Sequence, residues 1–152
     1  PGVGLFDAGD TPCRFEAAGE VFACGICYEG LFAEHTRGDI SDSSVLINLT
    51  IDTWFGRSTA PWFHMMVHAH RAAENGVPML RSALTGISGV IGEDGALDGH
   101  LKLDEAGLLS ADVPLHTWTP PYRFLGPLFA ILCLLLTLTL MRYAWRARRA
   151  PR

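Results

Sequence analysis

The chain has 152 residues, of which 49% are hydrophobic, and a mean hydropathy of +0.20. That length allows one modest core, and the hydropathy is high for a purely soluble domain, so apolar residues are concentrated somewhere. Of the twelve basic residues five fall in the last eleven positions, leaving seven against sixteen acidic residues in the rest, which argues against nucleic acid as a partner.

Residues 1–12 hold three glycines and two prolines and read as a loop. Cys13 to Glu16, a turn at Ala17-Ala18-Gly19 and the apolar run Val21 to Cys27 predict a hairpin. Val45 to Leu49, rich in β-branched residues, predicts a buried strand opening into a loop at Asp52, Trp54 and Gly56. Ser58 or Thr59 can cap a helix over Pro61 to Asn75, which Gly76 and Pro78 close. On that helix Trp62, Met65, Met66, Ala69, Ala72 and Ala73 form one apolar face, expected to pack, and His64, His68, Arg71 and Asn75 a polar one. Short strands are expected at Met79 to Ser82, Ser88 to Ile91, Leu97 to Leu103 and Leu108 to Val113, with a turn at Gly92-Glu93-Asp94-Gly95.

Phe124 to Met141 carries no charge and as a helix covers about 27 Å, one membrane span, with Pro127 in its first turn where a missing donor is tolerated. Trp118, Tyr122 and Tyr143 flank it as interfacial aromatics do. Arg142, Arg146, Arg148, Arg149 and Arg152 follow without an acidic residue, so the positive-inside rule puts the tail in the cytoplasm and everything before Phe124 outside. The first residue is Pro1 and a lone C-terminal span offers no route for exporting what precedes it, so the chain reads as a fragment or processed product.

Cys27 ends an apolar strand at a strand-to-helix corner, a position that presents a thiol at a sheet edge as a nucleophile; the alternative is a small buried hydrophobe. Cys24 and Cys27 form a C-x-x-C, but side chains three apart on a strand point to opposite faces, which argues against a disulfide between them. Cys13 reads as structural, and Cys133 as lipid-facing or packed within the span. His64 and His68 could share a metal from one helix face, but no third ligand is evident, and ordinary interface histidines are preferred.

Gly25-Ile26-Cys27-Tyr28-Glu29 resembles the nucleophile segment of apolipoprotein N-acyltransferases, the membrane-bound branch of the nitrilase superfamily. Asn48 to Gly56 resembles the family's N-D-x-W-F-G loop, and Ala60-Pro61-Trp62-Phe63-His64 its P-W-x-H helix start. Arg71 to Gly76, Leu80 to Ser88, Pro120-Pro121-Tyr122 and the last span continue the pattern, from about Val21 to the end. The resemblance implies an α/β fold: residues 1–123 as the C-terminal part of a nitrilase-like α-β-β-α sandwich, 124–141 as a transmembrane helix and 142–152 as a basic cytoplasmic tail. It implies residence in an inner membrane with the domain on the periplasmic side. No metal or cofactor is expected.

In the family's mechanism a Glu-Lys-Cys triad moves an acyl chain from a phospholipid, through a cysteine thioester, to the N-terminal amine of an apolipoprotein. Only the cysteine maps here, as Cys27, with Tyr28 and Glu29 shaping its pocket and Trp54 and Phe55 bordering it. The family usually has Asn where this chain has Ile51, which removes a hydrogen-bonding group from the loop. The single lysine, Lys102, does not match the triad lysine, so this chain alone is expected to be inactive and not to fold by itself, its sheet lacking strands that would cover an apolar face. Two other readings stand beside this one: a truncated or degenerate non-catalytic membrane protein, and a nitrilase-type amidase. The hydrophobic span distinguishes the acyltransferase from soluble amidases.

Overall fold

The computed structural model describes residue 9 and residues 11–40, 42–115 and 118–149; most of the expected N-terminal loop and the last tail residues lie outside the described residues. The chain divides into two units, Pro1–Pro120 and Pro121–Arg152.

In the first unit six strands form one sheet in sequential order: β1 (Cys13–Ala17), β2 (Glu20–Ile26), β3 (Val45–Thr50), β4 (Met79–Ala83), β5 (Ser88–Ile91) and β6 (Leu97–Leu101). Strands β2, β3 and β4 run parallel, and the outer pairs are antiparallel. The expected first hairpin is present, its two-residue turn made possible by positive φ at Ala18 and Gly19 (53° and 83°). Parallel neighbours need crossovers. These are helix α1 (Ala33–Ile40), which the sequence reading missed, and helix α2 (Ala60–Asn75), found within one residue of its expected bounds. At the start of α2 the Ser58 hydroxyl accepts the Ala60 amide (3.2 Å), and at its end Gly76 takes the left-handed conformation, returning its N–H to the Ala72 carbonyl.

The two faces of the sheet differ. Ala23, Leu46, Asn48, Thr50, Met79 and Arg81 are buried. Of the alternate positions, Phe15, Ile26 and Leu49 are exposed and Val45 is buried; Ile51, just past β3, is exposed. The core joins Ala23, Leu46 and Met79 to Ile40 of α1, Met65 and Ala72 of α2, and Val77, Ile87 and Ile91. The face assignment expected for α2 is corrected: Pro61, His64, Met65, His68, Ala72 and Asn75 are buried, while Trp62 and Met66 are exposed. The polar residues go inside because each finds an internal partner, which removes the cost of burying it. Asn75 donates to the Arg71 carbonyl (2.8 Å); His64 and His68 are treated below.

The expected strand over Leu108 to Val113 does not form, and β6 ends at Leu101. Leu109 lies instead beside Gly99 of β6 while Leu108 is exposed, so the run contacts the sheet edge through a side chain without joining its ladder.

In the second unit the single expected helix is two: α3 (Pro121–Leu125) and α4 (Leu128–Arg149). Gly126, at φ 47°, breaks the chain between them, and Pro127 precedes α4 rather than lying inside it. Leu128–Arg146 has a mean hydropathy of 1.9 and none of it is buried; among the described residues it is the one helix long and apolar enough to cross a membrane.

Candidate active site around Cys27

Strand β2 ends at Ile26, and Cys27 opens a 3-10 turn, Cys27–Leu31, with φ at 51°. A non-glycine residue rarely takes this left-handed conformation, which costs of order 1–3 kcal/mol and persists only where the surroundings enforce it. Three groups enforce it here. The Glu29 carboxylate accepts the Ile26 amide at 2.6 Å. From β3 the Asn48 amide donates to the carbonyls of Gly25 and Cys27, each at 3.3 Å. Behind the turn the Tyr28 ring stacks on His64 with centroids 5.3 Å apart.

His64 belongs to a buried polar network. The Asp52 carboxylate meets His64 Nδ1 (2.9 Å) and Arg81 Nη2 (2.9 Å) and accepts the Thr50 hydroxyl (3.0 Å). Arg81 Nη2 also reaches His64 Nδ1 (3.0 Å), and its Nη1 donates to the Ile87 carbonyl. Burial pushes the Asp52 carboxyl up, but the hydrogen bond and charge of Arg81, helped by His64, outweigh it and hold it below the usual range. For His64 burial, then the Arg81 charge, lower the pKa against the opposing pull of Asp52 and the Cys27 carbonyl. His64 Nε2 has no hydrogen-bond partner of full geometry, though the Cys27 carbonyl is close enough to favour a proton on the ring. His68 is wholly buried, its Nδ1 on the His64 carbonyl (2.8 Å), and burial lowers its pKa to about 4. Both histidines thus spend Nδ1 on protein partners, and among the described residues no group of three His, Cys, Asp or Glu side chains is arranged to hold a metal ion.

Cys27 lines an open cavity of about 690 Å³ whose walls are largely apolar, among them Ile26, Leu49, Ile51, Trp54 and Leu84. The five residues singled out from sequence therefore separate. Cys27 and Trp54 share this cavity, whereas Tyr28 and Phe55 turn to a smaller apolar hollow of about 250 Å³ with Phe63, His64 and Val67. Glu29 lines neither of these, its carboxylate being bonded to the Ile26 amide. Ile51 is half-exposed on the cavity wall, where an apolar side chain needs no hydrogen-bond partner. Lys102 follows β6 and its amide donates to Glu105 (2.8 Å). Sequence reasoning placed Asn48, Asp52 and Arg81 in segments that resemble the family but gave them no role; the lone arginine inside the apolar run Met79 to Ser82 was a further signal.

The profile of the carbon-nitrogen hydrolase family matches residues 4–122. Among curated proteins the chain is 35% identical over 133 residues to the apolipoprotein N-acyltransferase of Geobacter metallireducens, covering 87% of this chain and 26% of that protein. To its counterpart from Vibrio cholerae it is 36% identical over 137 residues, 88% of this chain and 26% of the relative. The chain thus spans about a quarter of the length of these curated relatives. Among solved structures an amidase from Nesterenkonia sp. AN1, with acrylamide added at its active-site cysteine, superposes at a TM-score of 0.59 and 23% identity, covering 72% of this chain and 45% of the amidase. That likeness concerns the fold.

Proposed function

The chain belongs to the carbon-nitrogen hydrolase family, and from that premise we propose that it carries the nucleophile of a membrane-anchored N-acyltransferase, with Cys27 as the thiol that accepts the acyl chain. The observation that carries the reading is the thiol held in a left-handed turn on the wall of a largely apolar cavity. A hydrocarbon chain favours such a lining, because apolar surface leaves water on both sides of the contact.

In this reading the Cys27 thiolate attacks the ester carbonyl of a phospholipid, the sulfur–carbon bond forms, and the lysophospholipid leaves as an alcohol that takes up a proton. The N-terminal amine of an apolipoprotein then attacks the thioester carbonyl, the amide forms as the amine loses a proton, and Cys27 is regenerated. Glu29 and Asn48 hold the turn that presents the sulfur, and Trp54 with Ile51 borders the acyl chain. The general base and the lysine would come from the part of the relatives' length that this chain does not span. Residues 1–123 would serve as part of the periplasmic domain, the helix around 124–141 as the inner-membrane anchor and 142–152 as the cytoplasmic tail. The charge-free stretch of α4 followed by arginines supports that orientation.

The test uses the protein in its native membrane, supplied with a phospholipid bearing an alkyne-tagged acyl chain. Hydroxylamine-sensitive label on Cys27 is expected, lost in Cys27→Ala and chased by an apolipoprotein amine. Label that survives in Cys27→Ala defeats the proposal, and release of ammonia from simple amides without acyl transfer points to an amidase instead.

A further inference from the structure

Cys24 is half-buried on β2 and lies directly across the ladder from Cys13, the first residue of β1. Directly opposed residues of an antiparallel pair project from the same side of the sheet, so the two side chains are neighbours on one face. Both line a cavity that does not include Cys27, and Cys27 lines one that does not include them; Ile26 and Leu49 border both. The C-x-x-C of the sequence is therefore divided in space, and the partner of Cys24 is eleven residues upstream rather than three downstream.

We infer that Cys13 and Cys24 form a disulfide that ties the edge strand to β2 and keeps Cys24 from pairing with the nucleophile. The inference rests on the proposed function in one respect, that the domain faces an oxidising compartment. The register permits the bond. A two-residue turn makes Ala17 and Glu20 a hydrogen-bonded pair, and alternation makes Cys13 and Cys24 another, with Cα atoms about 5.5 Å apart, inside the range of disulfides. Side chains at such pairs are the more widely spaced, so closure draws the strand ends together; Cys13 is the first residue of β1, with Thr11 and Pro12 before it outside the ladder.

The chemistry is thiol–disulfide exchange with a protein or small-molecule disulfide. The exposed Cys13 thiolate attacks one sulfur of that donor and releases the other as a thiol; Cys24, deprotonated in turn, displaces the second. The donor is reduced to two thiols, which take the two protons, and the cysteine pair is oxidised. Burial, and then the neighbouring Cys13, raise the Cys24 pKa, so Cys13 attacks and Cys24 resolves. Guarding matters because in the unfolded chain the short Cys24–Cys27 loop closes at lower entropic cost than the longer one. A hairpin that forms locally and oxidises reverses that preference.

Intact cells making the natural protein are quenched in acid, and the denatured protein is treated near neutral pH with one isotopic form of N-ethylmaleimide, then reduced and treated with a second, and peptides are read by mass spectrometry. Cys27 is expected to carry the first label or the acyl chain, and Cys13 and Cys24 the second. First label on Cys13 and Cys24, or a Cys24–Cys27 bridge, overturns the inference. Cys13→Ala is expected to reduce first label on Cys27, and Cys13→Ala with Cys24→Ala to restore it; full first label on Cys27 in the single variant sinks the guarding role. If the pair is linked but Cys27 forms no thioester, the disulfide stands and the proposed function falls; if Cys27 forms the thioester while the pair stays free, the reverse holds.

Discussion

Gly30 leaves the space that His68 fills: a Cβ on Gly30 would lie 2.3 Å from His68 Nε2 and 2.6 Å from its Cδ2. The glycine is in the 3-10 turn that Cys27 opens and the histidine is on α2, so this contact sets how closely the turn seats on the helix. Gly30→Ala is expected to destabilise the protein by about 1–3 kcal/mol, the usual cost of overpacking. His68→Ala in the same chain opens the space again, so the double variant is expected to lose less than the sum of the two single changes. Thermal unfolding of the four proteins in detergent tests the coupling; additive losses would show that the two residues do not compete for one site.

His68 also makes stability depend on pH. In the unfolded chain the ring protonates near its ordinary value of 6.5, whereas burial in the folded protein lowers this to about 4. Between those values the unfolded state binds more protons, so folding is favoured by raising the pH. The stability is fully present above about 6.5 and lost as pH falls toward 4, a change of about 3 kcal/mol. His64, lowered by burial and then by Arg81, acts in the same direction. His68→Gln is therefore expected to flatten, but not abolish, the fall in melting temperature between pH 7.5 and 5, and an unchanged slope would rule His68 out as its source.

The Asp52–Arg81 pair is fully buried and carries the loop after β3 against β4. Gly86 belongs to the same arrangement: at φ 117° it passes over Asp52, where a Cβ would stand 2.5 Å from Oδ2. Removing one partner of a buried pair leaves the other charge uncompensated, so Arg81→Met is expected to cost about 3–5 kcal/mol. Replacing both residues with apolar ones of similar volume is expected to cost much less than the single change. Denaturant unfolding of Arg81→Met, Asp52→Leu and the double variant measures the difference, and equal loss in single and double variants would show that the charge left behind is not the cause.

Some of this architecture was legible in the sequence, and the reason differs element by element. Helix α2 announced its ends through Ser58, Pro61 and Gly76, whose effects are local. Helix α1 did not, because AEHTRGDI has no apolar period and the residues it buries include Thr36 as well as Ile40. The faces of α2 were misassigned because polarity was read as exposure. His64 and Arg81 are buried against Asp52, 12 and 29 residues away, which no periodicity reveals. At the site, Cys27 stood out by its place at the end of an apolar strand, while its positive φ and the carboxylate behind it are products of the turn.

That carboxylate carries the last expectation. Glu29 accepts the Ile26 amide at 2.6 Å, a charge-assisted bond across the residue whose backbone is least favourable. Bonds to charged groups contribute about 1.5–3 kcal/mol, so losing this one is expected to slow the reaction of Cys27 with an alkylating agent by about tenfold or more if the turn relaxes. Glu29→Ala removes the acceptor, and Glu29→Gln keeps a neutral one and is expected to retain part of the rate. A positioning role lowers the plateau of the rate against pH and leaves its midpoint in place; a shifted midpoint with an unchanged plateau would instead mean that Glu29 acts on the thiol through its charge.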